Sequence, residues 1–424
     1  MKIYRYPEQN AWPDLVKRPV IEQEEISGLI RKIFDAVEEQ GDSALIEFNK
    51  KFDKALTPQI AVTEQELENA VDKISEDLKK AIKQAKENIA KFHSAQLAET
   101  EKIETVKGVI CWRENRAIEK VGIYIPGGTA PLFSTVLMLA VPANLAGCQE
   151  IILCTPPDSS GNINPAILFT AKLCGITKVF KTGGAQAVAA MSIGTESIPK
   201  VYKIFGPGNQ YVVAAKEYAQ RYGVAIDMPA GPSEVLVIAD SQAVPEFCAA
   251  DLLSQAEHGS DSQVVFITTD FKIFSETIEA VEKQVKKLPR NEIACKALDH
   301  SVFVLMNSVE EALEFSNLYA PEHLILALED FERYIPMIQN AGSVFLGNYS
   351  CESAGDYASG TNHTLPTNAY ARNYSGVSLD SFVKKITFQH LSREGLKKIG
   401  KTIEVMAEAE GLIAHKNAVS IRLK

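Results

Sequence analysis

The sequence predicts an α/β protein in which two incomplete, Rossmann-like parallel-sheet domains lie between a helical N-terminal region and a small helical C-terminal module. Two observations support this fold class. Short apolar segments alternate with helical patterns from about residue 108, and a second series of the same kind begins near residue 234. The predicted units are residues 1–107, 108–233, 234–350 and 351–424.

The N-terminal region, residues 1–105, is predicted to be helical. Between Ile21 and Val37 the apolar positions recur at helical spacing: Ile26, Ile30, Ile33 and Val37. Thr63 and Glu66 form the pattern of a capping box, and the helix that it opens could extend to about His93. The mixed charge of this helix predicts a solvated strut, or an arm that packs on the second α/β domain or a partner subunit.

In the first series, three predicted strands are followed by glycine turns, at Gly127–Gly128, Gly183–Gly184 and Gly206–Gly208. Glycine lets backbone amides approach a phosphate group, and the N-terminus of the helix that follows favours an anion. The turn at Gly206 lacks the third glycine of the GxGxxG pattern. Tight turns without a ligand are therefore an equally good interpretation.

The second series predicts strands at 235–239, 263–268, 302–306, 323–328 and 343–346, and a helix from Pro245 to about Glu257. The two series look like an architectural repeat, although no residue-by-residue repeat is visible. Beyond residue 348 the chain becomes polar and loop-like, and a helix from Ser392 to about Ala409 precedes a short tail.

Composition argues against several classes of protein. Lys and Arg number 44 and Asp and Glu 54, a net charge of −10, and no basic patch offers a nucleic-acid site. No apolar segment reaches the roughly 20 residues that a membrane span needs. The seven cysteines are widely spaced without a CxxC pair, and the N-terminus lacks a secretory signal, which predicts a cytoplasmic protein with reduced thiols.

Two pairs of polar residues lie at the ends of predicted elements. Gln255 and His258 can project from one face at the end of a helix, where either a zinc site or a capping histidine would fit. Glu322 and His323 begin a predicted strand, and they could form an acid–base pair or be a chance dipeptide.

Two further pairs lie in the C-terminal region. Asp356 and His363 belong to a polar segment that has little use in a core, and long irregular loops in compact proteins are usually functional or disordered. Glu410 and His415 lie near the C-terminus, where titratable residues are normally solvated.

Taken together, six segments resemble the histidinol dehydrogenase family, and the resemblance covers nearly the whole chain. The segments are VGIYIPGG (121–128), KIFGPGN (203–209), DMPAGPSE (227–234), LSQAEHG (253–259), APEHL (320–324) and SAGDYASGTNH (353–363). The tail adds AHKNA (414–418). Chance would not supply these segments in this order.

The resemblance implies the roles of particular residues. The implied ligands of one zinc ion per subunit are Gln255, His258, Asp356 and His415. The implied proton-transfer residues are Glu322 and His323. Besides these, the implied substrate-site residues are Ser233, His363 and Glu410, and the implied NAD contacts are Tyr124, Gln186 and Asn209.

The resemblance also implies a homodimer in which the tail of one subunit completes the site of the other, which would explain Glu410 and His415. The implied reaction, the last step of histidine biosynthesis, converts L-histidinol through L-histidinaldehyde to L-histidine with two NAD and one water. Two alternatives stay open, a zinc hydrolase with Glu322 as general base and a two-lobed binding protein. The glycine turns argue against the first, and the clustered titratable residues argue against the second.

Overall fold

The computed structural model describes residues 1–18, 23–55, 58–97, 99–127 and 130–424. The strands are β1 (Lys2–Arg5), β2 (Lys102–Val106), β3 (Val109–Ala117), β4 (Lys120–Tyr124), β5 (Glu150–Thr155), β6 (Lys178–Lys181), β7 (Lys203–Phe205), β8 (Ala225–Ile226), β9 (Glu234–Ala239), β10 (Gln263–Thr268), β11 (Val302–Leu305), β12 (His323–Ala327), β13 (Ser343–Leu346) and β14 (Val383–Leu391). The α-helices are α1 (Trp12–Leu15), α2 (Gln23–Gln40), α3 (Asp42–Phe48), α4 (Glu64–Asp72), α5 (Glu76–Ser94), α6 (Phe133–Ala146), α7 (Pro165–Leu173), α8 (Gly184–Ile193), α9 (Gln210–Ala219), α10 (Pro245–Ala256), α11 (Phe271–Val285), α12 (Asn291–His300), α13 (Val309–Tyr319), α14 (Glu352–Tyr357), α15 (Arg393–Ala409) and α16 (Ile413–Leu423).

Two parallel sheets confirm the predicted fold class. The first has the strand order β6-β5-β4-β7-β8, and the second has the order β1-β11-β10-β9-β12-β13. Apart from β1, both sheets arrange their strands in the same order relative to the chain, so the predicted repeat is confirmed at the level of topology. In sheets of this order, ligands usually bind beside the pair of strands where the order reverses. These pairs are β4 with β7 and β9 with β12.

Each parallel sheet has an apolar core on both faces. Helices α5, α6 and α7 cover one face of the first sheet, and α2, α8 and α9 cover the other. Helices α10, α11 and α12 pack on one face of the second sheet, and α13 packs with Trp12 on the other. The residues of α2 that helical spacing selected are all buried in the first sheet's core: Ile26, Ile30, Ile33 and Val37.

The N-terminal region is not wholly helical, which corrects the prediction. Strand β1 pairs with β11 at the edge of the second sheet, and the region ends in strand β2. The long helix predicted after Thr63 is interrupted, because the Ser75 side chain caps a new helix, α5, by accepting the N–H of Leu78 at 3.3 Å. The capping box itself is confirmed, since Thr63 Oγ1 accepts the N–H of Glu66 at 3.2 Å. The predicted helix start at Ile21 lies outside the described residues.

The C-terminal module contains a strand that the sequence analysis missed. Strand β14 pairs antiparallel with β3, and β3 pairs with β2, so that a three-stranded sheet links this module to the end of the N-terminal region. The predicted helix after Ser392 is confirmed as α15, whereas the predicted short tail forms helix α16, which packs on α15. The predicted domain boundaries after residues 107, 233 and 350 stay predictions.

The length and polarity of the helices also bear on membrane insertion. Within the described ranges, no helix combines the length and the apolar character that crossing a bilayer requires.

Candidate functional site

A cleft of about 910 Å³ lies between the two parallel sheets. On one side its lining includes Tyr124 at the carboxyl end of β4 and the turn Gly206–Gly208 after β7. On the other side its lining includes Glu234 at the start of β9 and Glu322, which precedes β12. A ligand bound at the central strands of the first sheet would therefore extend toward the titratable residues of the second.

The turn after β7 requires glycine at its first position. Gly206 has a φ of +132°, and a Cβ there would lie 2.0 Å from the carbonyl oxygen of Tyr124. Asn209 then caps α9, because its Oδ1 accepts the N–H groups of Tyr211 at 3.1 Å and Val212 at 3.2 Å. Asn209 and Gln210, at the start of α9, line the cleft, which is where an anion would meet a helix N-terminus.

A buried ion pair holds this turn in place. Lys216 Nζ donates to the carbonyl oxygen of Gly206 at 3.0 Å and forms an ion pair with Asp227. Asp227 Oδ2 accepts the N–H of Gly206 at 2.8 Å. Both backbone polar groups of Gly206 are thereby satisfied by one charged pair.

The three residues that match NAD contacts have different positions. Tyr124 and Asn209 line the cleft, whereas Gln186 is buried within α8 and does not line it. The Tyr124 hydroxyl accepts the N–H of Gly184 at 3.1 Å, so that it joins the end of β4 to the start of α8. Of the predicted turn Gly127–Gly128, the first glycine lines the cleft and the second lies outside the described residues.

Glu322 and His323 are adjacent, buried and titratable. Glu322 Oε2 accepts the N–H of Glu234 at 2.9 Å and lies 3.6 Å from His323 Nδ1. Burial raises the pKa of Glu322. Burial alone would lower the pKa of His323, but the carboxylates of Glu322 and Asp356 raise it. The pair therefore retains a proton at neutral pH, as a group that donates and accepts protons in a cleft must.

Three residues bring candidate metal ligands together near this pair. One ligand atom each from His258, Glu352 and Asp356 lies within 4.8 Å of the others. Gln255 Nε2 donates to Glu352 Oε1 at 2.7 Å, while Gln255 Oε1 is buried without a hydrogen-bond partner. Asp356 Oδ1 is also buried without one. Unpartnered buried oxygens beside an imidazole fit a divalent cation, which prefers such oxygen and nitrogen ligands.

The charges in this cluster also favour a cation. Glu352 and Asp356 are one turn apart on α14, so their carboxylates lie close together. Burial, with the charge of Asp356 added to it, raises the pKa of Glu352 to about 8. Burial opposes the ionisation of Asp356, but the hydrogen bond and the charge of His323 hold its pKa below the ordinary value. A bound cation would relieve the repulsion between the two carboxylates.

His363 joins the cluster to the first sheet's core. Its Nδ1 lies 2.8 Å from the carbonyl oxygen of Asp356, which can only accept, so Nδ1 carries the hydrogen. Its Nε2 then accepts from the Thr135 hydroxyl at 2.9 Å. Burial lowers the pKa of His363, which favours this neutral ring. His363 and Ser233, both predicted substrate-site residues, line the cleft.

Glu410 and His415 do not join the cluster within one chain. Both are exposed, and neither lines the cleft. They lie where α15 ends and α16 begins, next to the exposed apolar side chains of Met406 and Ile413. The structure therefore brings together Gln255, His258 and Asp356 of the four predicted ligands, and leaves the fourth on an apolar surface.

Sequence reasoning missed several residues of the site. Glu352 precedes Asp356 by four residues, and this spacing on a helix was the signal that could have found it. Arg18 and Glu234 form an ion pair in which Arg18 Nη2 donates to Glu234 Oε2 at 2.8 Å. Residues so far apart in the chain carry no local signal of such a contact.

Comparisons with known proteins agree on one family. The family histidinol dehydrogenase matches residues 16–423. A histidinol dehydrogenase of Bacteroides thetaiotaomicron is 58% identical over 423 residues, which span 100% of this chain and 99% of that protein. The chloroplastic histidinol dehydrogenase of Arabidopsis thaliana is 52% identical over 429 residues, spanning 100% and 92%. The crystal structure of histidinol dehydrogenase from Elizabethkingia anophelis has a TM-score of 0.98 and 60% identity, and the match covers 100% and 98%.

Proposed function

The chain belongs to the histidinol dehydrogenase family, and we propose from this premise that it oxidises L-histidinol through L-histidinaldehyde to L-histidine with two NAD and one water. As a member of this family it is an NAD-dependent oxidoreductase that acts on a CH–OH group. The observation that carries the proposal is that one cleft is lined by a glycine turn at a helix N-terminus, by Glu322 of the buried acid–base pair and by His258 of the candidate metal cluster.

The proposed metal is zinc, one per subunit. Its proposed ligands are Gln255, His258, Asp356 and His415 of the partner subunit. The unpartnered oxygens of Gln255 and Asp356 support this choice. When bound, zinc would act as a template and Lewis acid that fixes the amine and imidazole of the substrate.

The proposed assembly is a homodimer with shared sites. The exposed position of His415 on the C-terminal helices, away from its own chain's cluster, supports a role in a second copy. Ser233 and His363 line the cleft and would contact the substrate beside the metal ligands and His323, together with Glu410 of the partner subunit. These contacts would hold the substrate so that its reacting carbon faces both the acid–base pair and NAD.

The acid–base pair, Glu322 and His323, would move the protons of both oxidation steps. His323 takes the proton of the alcohol while hydride leaves the same carbon for the nicotinamide ring of NAD. Glu322 and His323 then activate the water that adds to the aldehyde. His323 takes a proton again during the second hydride transfer, and imidazole suits this repeated use because its unperturbed pKa of about 6.5 lies near neutral pH.

NAD is proposed to bind at the first sheet. Tyr124 and Asn209 line the cleft there, and the N-terminus of α9 together with the turn at Gly206 would face the pyrophosphate. Gln186, which is buried in α8, is proposed as a further NAD contact on the resemblance to the family alone.

The test is an assay of NADH absorbance with L-histidinol, in which metal content is measured on the same sample. We expect two NADH for each L-histidine formed, and we expect activity to follow bound zinc. The matched control is His323→Asn, which should keep the fold and lose turnover. Hydrolytic activity without NADH would favour a zinc hydrolase instead, and tight binding of L-histidinol without turnover would favour a binding protein. Either result would contradict the proposal.

A further inference from the structure

A carboxamide ligand must present its oxygen to a cation, because the NH₂ group of the same side chain has no free lone pair to offer. We propose that Glu352 is the positioning residue that sets the orientation of the Gln255 amide and so prepares the metal site. This inference rests on the proposed role of Gln255 as a metal ligand. It adds a residue to which the family resemblance assigned no role.

The contact between the two side chains determines which end of the amide faces Glu352. Glu352 is 1% exposed, and its Oε1 lies 2.7 Å from Gln255 Nε2. Glu352 Oε1 accepts from Gln255 Nε2, so the NH₂ group of the amide faces Glu352. A bound cation would keep Glu352 ionised, the form that can only accept a hydrogen bond. The opposite amide atom, Gln255 Oε1, is buried and has no hydrogen-bond partner. Glu352 thereby leaves an oxygen free for a cation.

Glu352 is itself held by residues of α10. The Ser254 hydroxyl lies at hydrogen-bond distance from Glu352 Oε2, and it also lies 2.8 Å from the carbonyl oxygen of Asp251. Both carboxylate oxygens of Glu352 are therefore engaged, and α14 is tied to the helix that carries Gln255 and His258.

Loss of Glu352 would free the amide to turn over. Gln255 Nε2 also lies 3.0 Å from His323 Nδ1. With Glu352 absent, Gln255 Oε1 could accept from a protonated His323 Nδ1, and its NH₂ group would then point at the metal position. Loss of a residue that orients a metal ligand typically lowers metal affinity by about 10–100-fold.

A direct ligand role for Glu352 is the competing interpretation, because its carboxylate belongs to the same 4.8 Å cluster as His258 and Asp356. The two roles differ in their dependence on Gln255. A residue that acts through Gln255 has no effect once Gln255 is removed, whereas a direct ligand or a local charge keeps its effect.

The experiment measures Zn²⁺ and Co²⁺ affinity of the full-length metal-free protein by competition with a chelating dye, for Glu352→Ala, Gln255→Ala and the double variant. We expect Glu352→Ala alone to weaken binding by about 10–100-fold. In the Gln255→Ala background, Glu352→Ala should cause little further loss. Losses that multiply in the double variant would overturn the inference.

A second variant keeps the test decisive if Glu352→Ala does not fold. Glu352→Gln retains an oxygen that can accept from Gln255, and the Ser254 hydroxyl can turn to the carbonyl oxygen of Asp251. We therefore expect Glu352→Gln to bind metal within about threefold of the parent protein, with the same visible spectrum of bound Co²⁺. A loss as large as that of Gln255→Ala, or a changed spectrum, would overturn the inference. Absence of metal binding by the unmodified protein would instead overturn the proposed metal site, and this inference with it.

Discussion

Replacement of Lys216 by methionine should destabilise the turn that begins at Gly206. Lys216 and Asp227 have side chains that are only 2% and 1% exposed, so the change leaves a buried carboxylate without its counter-ion. Removal of one partner from a buried ion pair costs about 3–5 kcal/mol. Asp227 keeps the N–H groups of Gly206 at 2.8 Å and Met228 at 2.7 Å, and we therefore expect a loss near the lower end, about 3 kcal/mol.

The same change should weaken the binding of NAD. Lys216 supports the carbonyl oxygen of Gly206, and this turn lines the proposed cofactor site. A loss of roughly 1.4 kcal/mol in cofactor binding is tenfold in affinity, and we expect the KM for NAD to rise by about this factor or more. The KM for L-histidinol should change less, because its proposed contacts lie in the second half of the chain.

The assay combines urea unfolding, followed by far-UV circular dichroism, with steady-state kinetics. Lys216→Met combined with Asp227→Asn should recover part of the lost stability, since no unpaired charge remains. Lys272→Met serves as a matched control, because Lys272 pairs with Glu276 at 3.9 Å on an exposed helix surface and should change little. An unchanged unfolding midpoint and an unchanged KM for NAD in Lys216→Met would refute the reasoning.

Four further predictions follow from the site and its surroundings. His323→Asn should slow both oxidation steps by about 10²–10⁴-fold and Glu322→Gln mainly the aldehyde step, as stopped-flow kinetics with each substrate would reveal; normal aldehyde oxidation by Glu322→Gln would contradict its role. A strong chelator should abolish turnover while far-UV circular dichroism stays unchanged, and full activity without metal would exclude the template role. Subunits carrying His258→Ala or His415→Ala should each be inactive. Full exchange of equal amounts should restore about one quarter of the activity, because half of the dimers are then mixed and half of the sites in each mixed dimer are intact. No recovery in proven mixed dimers would argue against shared sites. Burial raises the pKa of Asp53 to about 6, so the folded protein loses stability as this buried carboxyl ionises between about pH 4 and pH 6. Asp53→Asn should therefore raise the free energy of unfolding at pH 8 by about 1 kcal/mol and leave it unchanged at pH 4; the expected gain is small because Asp53 is partly exposed.

Local sequence patterns predicted the parallel sheets well because their strands are short apolar segments separated by helical patterns. The buried positions of α2 and the capping box at Thr63 were also readable, since both depend on residues a few positions apart. Strand β1 was missed because it has four residues, of which only Tyr4 is partly buried. Strand β14 was missed because most of its residues are exposed, so it has no apolar pattern.

The candidate site was only partly readable from local patterns. The spacing of Gln255 and His258 on α10 suggested a shared face, but their meeting with Asp356 depends on how α14 packs on α10. The resemblance to a family supplied the ligand role of Asp356, whereas Glu352 was recognised only from its position in the structure, although its spacing from Asp356 was a usable signal. The position of Glu322 and His323 could not be predicted from the general rule for parallel sheets. Ligands of such sheets usually bind at the carboxyl ends of the strands, whereas His323 lies at the start of β12.

The pairing of β1 with β11, a strand far along the chain, bears on how the protein folds during translation. Strand β1 leaves the ribosome long before the strand with which it pairs, because its pairing residues begin only at Val302. During most of translation β11 has not yet been made, so β1 has no strand to pair with. In the same period α2 and the helices that follow can already pack on the first sheet. Newly made chains would therefore carry β1 as an unpaired segment for most of their synthesis, accessible to chaperones and proteases. Removal of that segment would leave β11 as a bare edge available for association with other chains.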